Sequence, residues 1–230
     1  MTQFMSNSIF FGAAISLIAY EAGLLLKRKF RMAIFNPLLI AIIAVMAVLS
    51  LLHIDYDTYN QSGQYISYLL TPATVCLAVP LYQQMELLKK NLKAVVIGIV
   101  SGVLASMVSV LLLAKLFRLS HEQYVTLLPK SITTAIGMGV SEELGGIVTI
   151  TVAVIIITGV LGNMIAETVI RLAHIEEPIA KGLALGTSAH AIGTAKAMEL
   201  GEVEGAMSSL AIAVSGLMTV VVVPLMAGLI

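Results

Sequence analysis

Apolar residues run along this chain in long blocks separated by short polar punctuation. Eight windows stand out: 8–26, 32–52, 66–84, 92–117, 123–140, 146–170, 179–200 and 205–230. A helix that crosses a bilayer needs about 20 mostly apolar residues, and most of these windows reach that length. The pattern predicts an all-α, polytopic transmembrane bundle. The third, fifth and seventh windows are weaker, because each carries polar residues or helix breakers inside it. No basic residue precedes the first window, and Lys27, Arg28, Lys29 and Arg31 follow it. It is therefore read as an uncleaved first spanning helix rather than a signal peptide.

Composition agrees with the pattern. The chain is 59% hydrophobic and 11% charged, with a mean hydropathy of +1.00, whereas soluble domains carry roughly a quarter of their residues as charges. Zero net charge removes the electrostatic case for nucleic acid. Cys76 is the single cysteine, so neither an intrachain disulfide nor a cysteine metal cluster can form. Neither a metal nor a cofactor is expected.

Charge also orients the windows. The basic run at 27–31 belongs on the cytoplasmic side, which puts the N-terminus outside. Asp55 and Asp57 then emerge outside, and Lys89, Lys90 and Lys93 return inside. Thr71-Pro72-Ala73 resembles Thr187-Ser188-Ala189, at a spacing of 187 − 71 = 116. Met85-Glu86-Leu87 recurs at 198 (198 − 85 = 113) and Val100-Ser101-Gly102 at 214 (214 − 100 = 114). These offsets are close to half the chain. Acidic loops at Glu142-Glu143 and at Glu199, Glu202 and Glu204 stand where the first half is basic. The expectation is two inverted repeats, 1–117 and 118–230, in one membrane domain with its site at the repeat interface. Inversion needs an odd number of crossings per half, and each half shows four windows, so one window in each is re-entrant or a crossing is hidden. Acidic residues are weak guides to topology, and the alternative that the halves are not inverted stays open.

Three breaks carry the candidate chemistry. In Leu70-Thr71-Pro72-Ala73-Thr74, proline removes a helix bond and disfavours helix at Thr71. The competing reading is a plain kink patched by threonine hydroxyls. In the segment Pro129-Lys130-Ser131-Ile132-Thr133-Thr134, proline ends one helical piece, and Ser131 or Thr133 is placed to cap the next. A lysine, hydroxyls and a helix N-terminus make an anion site, unless Lys130 lies near a helix end and snorkels to water. The third break, Gly186-Thr187-Ser188-Ala189-His190-Ala191-Ile192-Gly193-Thr194, combines glycines, hydroxyls and a histidine. Gly182 with Gly186, and Gly98 with Gly102, also have the spacing of ordinary close helix packing.

The expected site is Thr71, Ala73, Lys130, Ser131, Thr133, Thr187, Ser188 and His190. Lys130 would neutralise an anionic solute, hydroxyls would bind it, and His190 would hydrogen-bond the solute or carry a coupled proton. Glu21 is a further coupling candidate, set against simple pairing with the adjacent basic loop. Enzyme readings fare poorly. His121-Glu122 lacks a second histidine at metalloprotease spacing. Asp55 and Asp57 share one polar loop, and a Ser215–His190 dyad has no acidic orienter.

These segments resemble the LrgB/CidB family of bacterial membrane proteins over nearly the whole chain. The resemblance rests on Asn36-Pro37-Leu38-Leu39, on the segment from Pro129 to Thr134, and on Gly159-Val160-Leu161-Gly162. It rests further on Gly186 through Ala195, and above all on Gly201-Glu202-Val203-Glu204-Gly205-Ala206-Met207-Ser208-Ser209-Leu210. Two positions depart from the family pattern: Ala135 stands where a proline usually follows the paired threonines, and the serine before the histidine is displaced to Ser188. The resemblance implies an antiholin-like role in murein hydrolase export and autolysis beside a small holin-like membrane partner. It also implies kinship with a plastid glycolate/glycerate carrier, and a fold like antiporters and bile-acid transporters, whose discontinuous helices slide against a scaffold as an elevator. The resulting expectation is a homo-oligomeric, dimer-favoured carrier of pyruvate- or glycolate-like acids, with a pore regulator of the holin class as the alternative.

Overall fold

A computed structural model describes residues 10–30, 32 and 35–230, with the side chains of Leu70 and Thr74 outside that description. Arg31 of the basic run and the first two residues of the first apolar window also fall outside it. The described secondary structure is helical throughout, with no strand. Contacts divide the chain into two compact units, Met1–Cys76 and Leu77–Ile230. That division concerns contact, and the repeat boundary expected at 117/118 concerns equivalence, so one does not bear on the other.

The first unit holds α1 (Phe11–Phe30), α2 (Pro37–Leu51), α3 (Tyr56–Ser67) and α4 (Leu70–Cys76). Asn36 starts α2: its Oδ1 accepts from the Leu38 and Leu39 amides at 2.9 and 3.2 Å, and Pro37 follows at the first helical position, where its missing N–H costs nothing. Asp55 caps α3 through the Thr58 amide at 2.7 Å. Helix α1 packs on both neighbours through glycine. A Cβ at Gly12 would meet the Tyr59 carbonyl, and one at Gly23 would stand 2.7 Å from the Pro37 carbonyl.

The second unit holds α5 (Ala78–Gln83), α6 (Met85–Lys90), α7 (Leu92–Phe117), α8 (His121–Leu127), α9 (Thr134–Glu143), α10 (Val148–Leu172), α11 (Pro178–Leu200) and α12 (Glu202–Ala227). Helix α7 buries Val95, Ile99, Val103, Met107, Val110 and Ala114, a stripe at three- and four-residue spacing. Its exposed positions, such as Ile97, Leu112 and Leu116, are equally apolar, the mark of hydrocarbon rather than water outside. Among the described residues four stretches are long and apolar enough to cross a membrane: Tyr56–Gln83, Leu92–Phe117, Val148–Leu172 and Glu202–Ala227. The chain is a multi-pass helical membrane protein.

The breaks lie elsewhere than at the residues that signal them. The interruption expected at Thr71-Pro72 is a turn at Tyr68 and Leu69, and the next falls at Leu77. Each lies three or four residues ahead of a proline, Pro72 or Pro80. A proline ring removes the bond to the carbonyl four residues back and collides with it. Helix therefore ends near that carbonyl and restarts with the proline inside its first turn, where no amide is missed.

The window 123–140 does not cross as one helix. The Ile147 amide donates to Thr126 Oγ1 at 2.8 Å, and Thr151 Oγ1 bonds the Thr126 carbonyl and Ser141 Oγ at 2.9 and 2.7 Å. The end of α9 thus returns beside α8, while a Cβ at Gly137 would stand 3.6 Å from the Pro129 carbonyl. Helices α8 and α9 form an antiparallel hairpin with Pro129, Lys130 and Ser131 at its tip.

Candidate functional site

Two helix faces and the hairpin tip build the site, all within the second unit. Opposite its core stripe, α7 presents small residues, among them Gly98, Ser101, Gly102, Ser106 and Ser109. Glycine at 98 and 102 lets α11 approach closely. A Cβ at Gly98 would stand 2.9 Å from Leu183 Cδ1, and one at Gly102 would stand 2.6 Å from Thr187 Oγ1. Between α7 and α11 runs a cleft of about 880 Å³, lined by that small-residue face, by Leu183, Ala184, Thr187 and Ser188, and by Lys130 and Ser131 of the tip. Exposed Glu177 also borders it.

Lys130 is half-buried. Its ammonium donates to Ser131 Oγ at 2.9 Å and Ser106 Oγ at 3.2 Å, and Ser106 Oγ donates to Ser131 Oγ at 3.0 Å. It makes no ion pair among the described residues. A cation bound only by neutral oxygens keeps most of its charge available to an incoming anion. Thr187 and Ser188 give their protons to their own helix, to the Leu183 and Ala184 carbonyls at 2.8 and 2.6 Å. Towards a ligand they present lone pairs, as acceptors for a solute hydroxyl.

The capping expectation needs correction. Thr133 occupies the N-cap position of α9 but its side chain makes no cap bond, and Ser131 bonds Lys130 and Ser106 instead of the helix amides. Ser131 turns towards the tip ammonium because a charge-assisted bond outweighs a neutral cap. From Thr134 the helix is continuous to Glu143, as Ala135 in place of proline allows.

The third break also moves. Gly186 is ordinary helix, and a Cβ there would lie 2.5 Å from the Ser208 carbonyl, so this glycine serves packing of α11 on α12. The interruption is at His190, with φ 42° and ψ −135°, a conformation that glycine tolerates and other residues strain to reach. Gly193 makes the bend fit, since its Cβ would stand 2.6 Å from the Leu185 carbonyl. The buried imidazole donates from Nε2 to the Ile155 carbonyl on α10 at 2.9 Å, and Asn163 Nδ2 donates to the Ile192 carbonyl beyond the bend at 2.9 Å. His190 therefore packs on α10 and is not a wall of the cleft.

Thr71 and Ala73 lie in the first unit, exposed on α4. Glu21 is exposed on α1.

A family model described as the LrgB-like family matches residues 16–229. The chain belongs to that family. It is 40% identical over 217 residues to the antiholin-like protein LrgB of Bacillus mycoides (strain KBAB4), covering 94% of each chain. Proteins of the same name from Bacillus cereus (strain B4264) and Bacillus anthracis (strain CDC 684 / NRRL 3495) are 39% identical with the same coverage. No solved structure matches.

In this family member the motifs that carry the resemblance serve the framework as much as the cleft. Gly159 and Gly162 on α10 admit the bend of α11: their Cβ atoms would stand 2.7 Å from His190 Cε1 and 2.5 Å from Ala189 Cβ. The run from Glu204 to Ser209 is buried at every position, and Ser208 Oγ meets Thr194 Oγ1 at 2.7 Å. Ser106 and Ser109 went unread in the sequence. Serine in an apolar helix usually bonds its own backbone, and the only signal was the helical spacing of small residues at 98, 102, 106 and 109.

Proposed function

We propose that this chain is a secondary carrier, without catalytic chemistry, of small monocarboxylates or hydroxy acids, working by alternating access in a bacterial cell membrane. One observation carries the reading: a half-buried ammonium, without an ion-pair partner among the described residues, faces a largely apolar cleft studded with serine and threonine hydroxyls from the tip of a helical hairpin. A carboxylate entering the cleft would take up the Lys130 bonds now made to serine, and hydroxyls on α7 and α11 would meet a 2-hydroxyl or 2-oxo group. The inverted-repeat plan belongs to this reading. In its support, α7 and α12 are both 26 residues long, and each follows an interrupted helical segment. On the repeat plan Thr71 and Ala73 are the first-half counterparts of Thr187 and Ala189. His190 acts by holding the bend, and proton coupling through it or through Glu21 is part of the same proposal. On this reading the basic end of α1 is cytoplasmic and the N-terminus lies outside, and a homodimer is the favoured assembly.

The name of the relatives favours a second reading, an antiholin-like regulator, which the family resemblance sets beside a small holin-like membrane partner. The name speaks for that role and not for transport. Uptake into proteoliposomes separates the two. A carrier saturates, shows counter-exchange and selects among small carboxylates, whereas a lesion passes unrelated solutes of similar size at unsaturable rates. Unsaturable, unselective flux, or none, would refute the carrier.

A further inference from the structure

Behind the Ser106–Ser131 bond the cleft gives way to a small chamber of about 10 Å³, at the margin of what one water needs. Its polar wall is made of five hydroxyls from four elements: Ser106 on α7, Ser131 at the hairpin tip, Thr187 on α11, and Ser215 and Thr219 on α12. Ser215 is 1% exposed, and its Oγ is the buried side-chain polar atom left without a hydrogen-bond partner among the described residues. Burying a hydroxyl unpaired is unfavourable, and native proteins rarely leave one so.

The other hydroxyls show what is missing. Ser106 spends its proton on Ser131, and Thr187 spends its proton on the Leu183 carbonyl. Ser131 Oγ accepts from both Lys130 and Ser106, which leaves its own proton to be given elsewhere. The chamber therefore offers three donors, Ser131, Ser215 and Thr219, and lone pairs on Ser106 and Thr187. We propose that the chamber binds one hydrogen-bonding oxygen atom, with Ser215 as its anchor. A water supplies it in the empty protein, or the bound solute places its innermost oxygen there. A metal cation is disfavoured, because the Lys130 ammonium already donates to two of the same oxygens. The solute source rests on the carrier reading, and the water source does not.

The sign of a stability change tests this. Ser215→Ala removes the hydroxyl, and Ser215→Thr adds a methyl that would fill the void. Were the chamber dry, Ala would remove an unsatisfied group and Thr would fill a hole, so both variants would match or exceed the wild type. With an oxygen present, Ala loses the bond to it, and Thr keeps its hydroxyl but displaces the oxygen with its methyl and leaves the chamber donors unpaired, so in both the midpoint for heat loss of the monodisperse size-exclusion peak should fall by about 2–4 °C. Repeating the measurement with saturating glycolate, pyruvate or lactate separates the sources. A water gives the same drop with and without acid, and half-saturation for uptake within about twofold of wild type. A solute oxygen enlarges the drop in the presence of acid and raises half-saturation about fivefold. Absence of saturable uptake by the wild type would remove the carrier reading and leave the stability test intact. Unchanged or raised midpoints in both variants overturn the proposal.

Discussion

At the scale of single residues the fold concentrates its least comfortable groups in two places, Lys130 and His190. The Lys130 ammonium has two serine oxygens and no carboxylate within ion-pair reach among the described residues. A charge-assisted contact to a solute carboxylate contributes about 1.5–3 kcal/mol. Lys130→Gln keeps donors for Ser106 and Ser131 but removes the charge. Half-saturation for an anionic acid should rise roughly ten- to a hundredfold at unchanged protein level, measured by concentration-dependent uptake at equal reconstituted density. Equal half-saturation and flux in the two proteins would mean that Lys130 does not hold the solute. His190 carries backbone strain of about 1–3 kcal/mol and returns one buried hydrogen bond to Ile155. His190→Gly loses the bond and the strain together, whereas His190→Ala loses the bond and keeps the strain. The glycine variant should therefore be the more heat-stable of the two, reversing the helix-propensity order, which favours alanine by about 1 kcal/mol.

Among elements, the seam between α11 and α12 is closer than that between α7 and α11, and substitutions should separate the two. A Cβ at Gly186 would strike the backbone carbonyl of Ser208, and a Cβ at Gly102 would crowd Thr187 at Oγ1 and, at 2.9 Å, at its fixed Cβ, so α11 itself would have to shift. Gly186→Ala should cost about 1–3 kcal/mol and lower the yield of monodisperse protein. Gly102→Ala should cost stability as well and in addition disturb uptake, because α11 must shift at the cleft wall. Size-exclusion yield and thermal midpoint check both. Sequence patterning gave most of this level. The window 92–117 is helix Leu92–Phe117, and the windows at 146–170 and 205–230 miss their helices by two or three residues at each end. Long apolar runs with polar ends leave little choice of boundary. The hairpin at 123–140 was not legible as such, because an apolar run of that length reads the same whether it crosses or turns back. The contacts that decide, Thr126 to Ile147 and Thr151 and Thr151 to Ser141, join residues with no local signature. Breaks were legible by segment but not in number or place: Pro72 and Pro80 each mark a turn ahead of themselves, and Gly186 serves a neighbouring helix while His190 takes the bend.

Over the whole molecule, α8 and α9 set a depth. Helices of 7 and 10 residues extend about 10 and 15 Å, roughly half of a 30 Å hydrocarbon layer. On the carrier reading, a hairpin with its mouth at one surface puts the lysine tip near an electrical distance of one half. One elementary charge crossing the full field is worth about 2.3 kcal/mol per 100 mV, so a charge at the tip feels about half of that. A carboxylate bound to Lys130 makes a neutral pair, and the loaded site should move without sensing voltage. The empty site carries the bare ammonium and should sense it. Counter-exchange, in which the site is always loaded, should therefore ignore an imposed membrane potential, while net uptake, which requires the empty return, should change with it. In Lys130→Gln the dependence should pass from the empty step to the loaded one, and exchange itself should become voltage-sensitive.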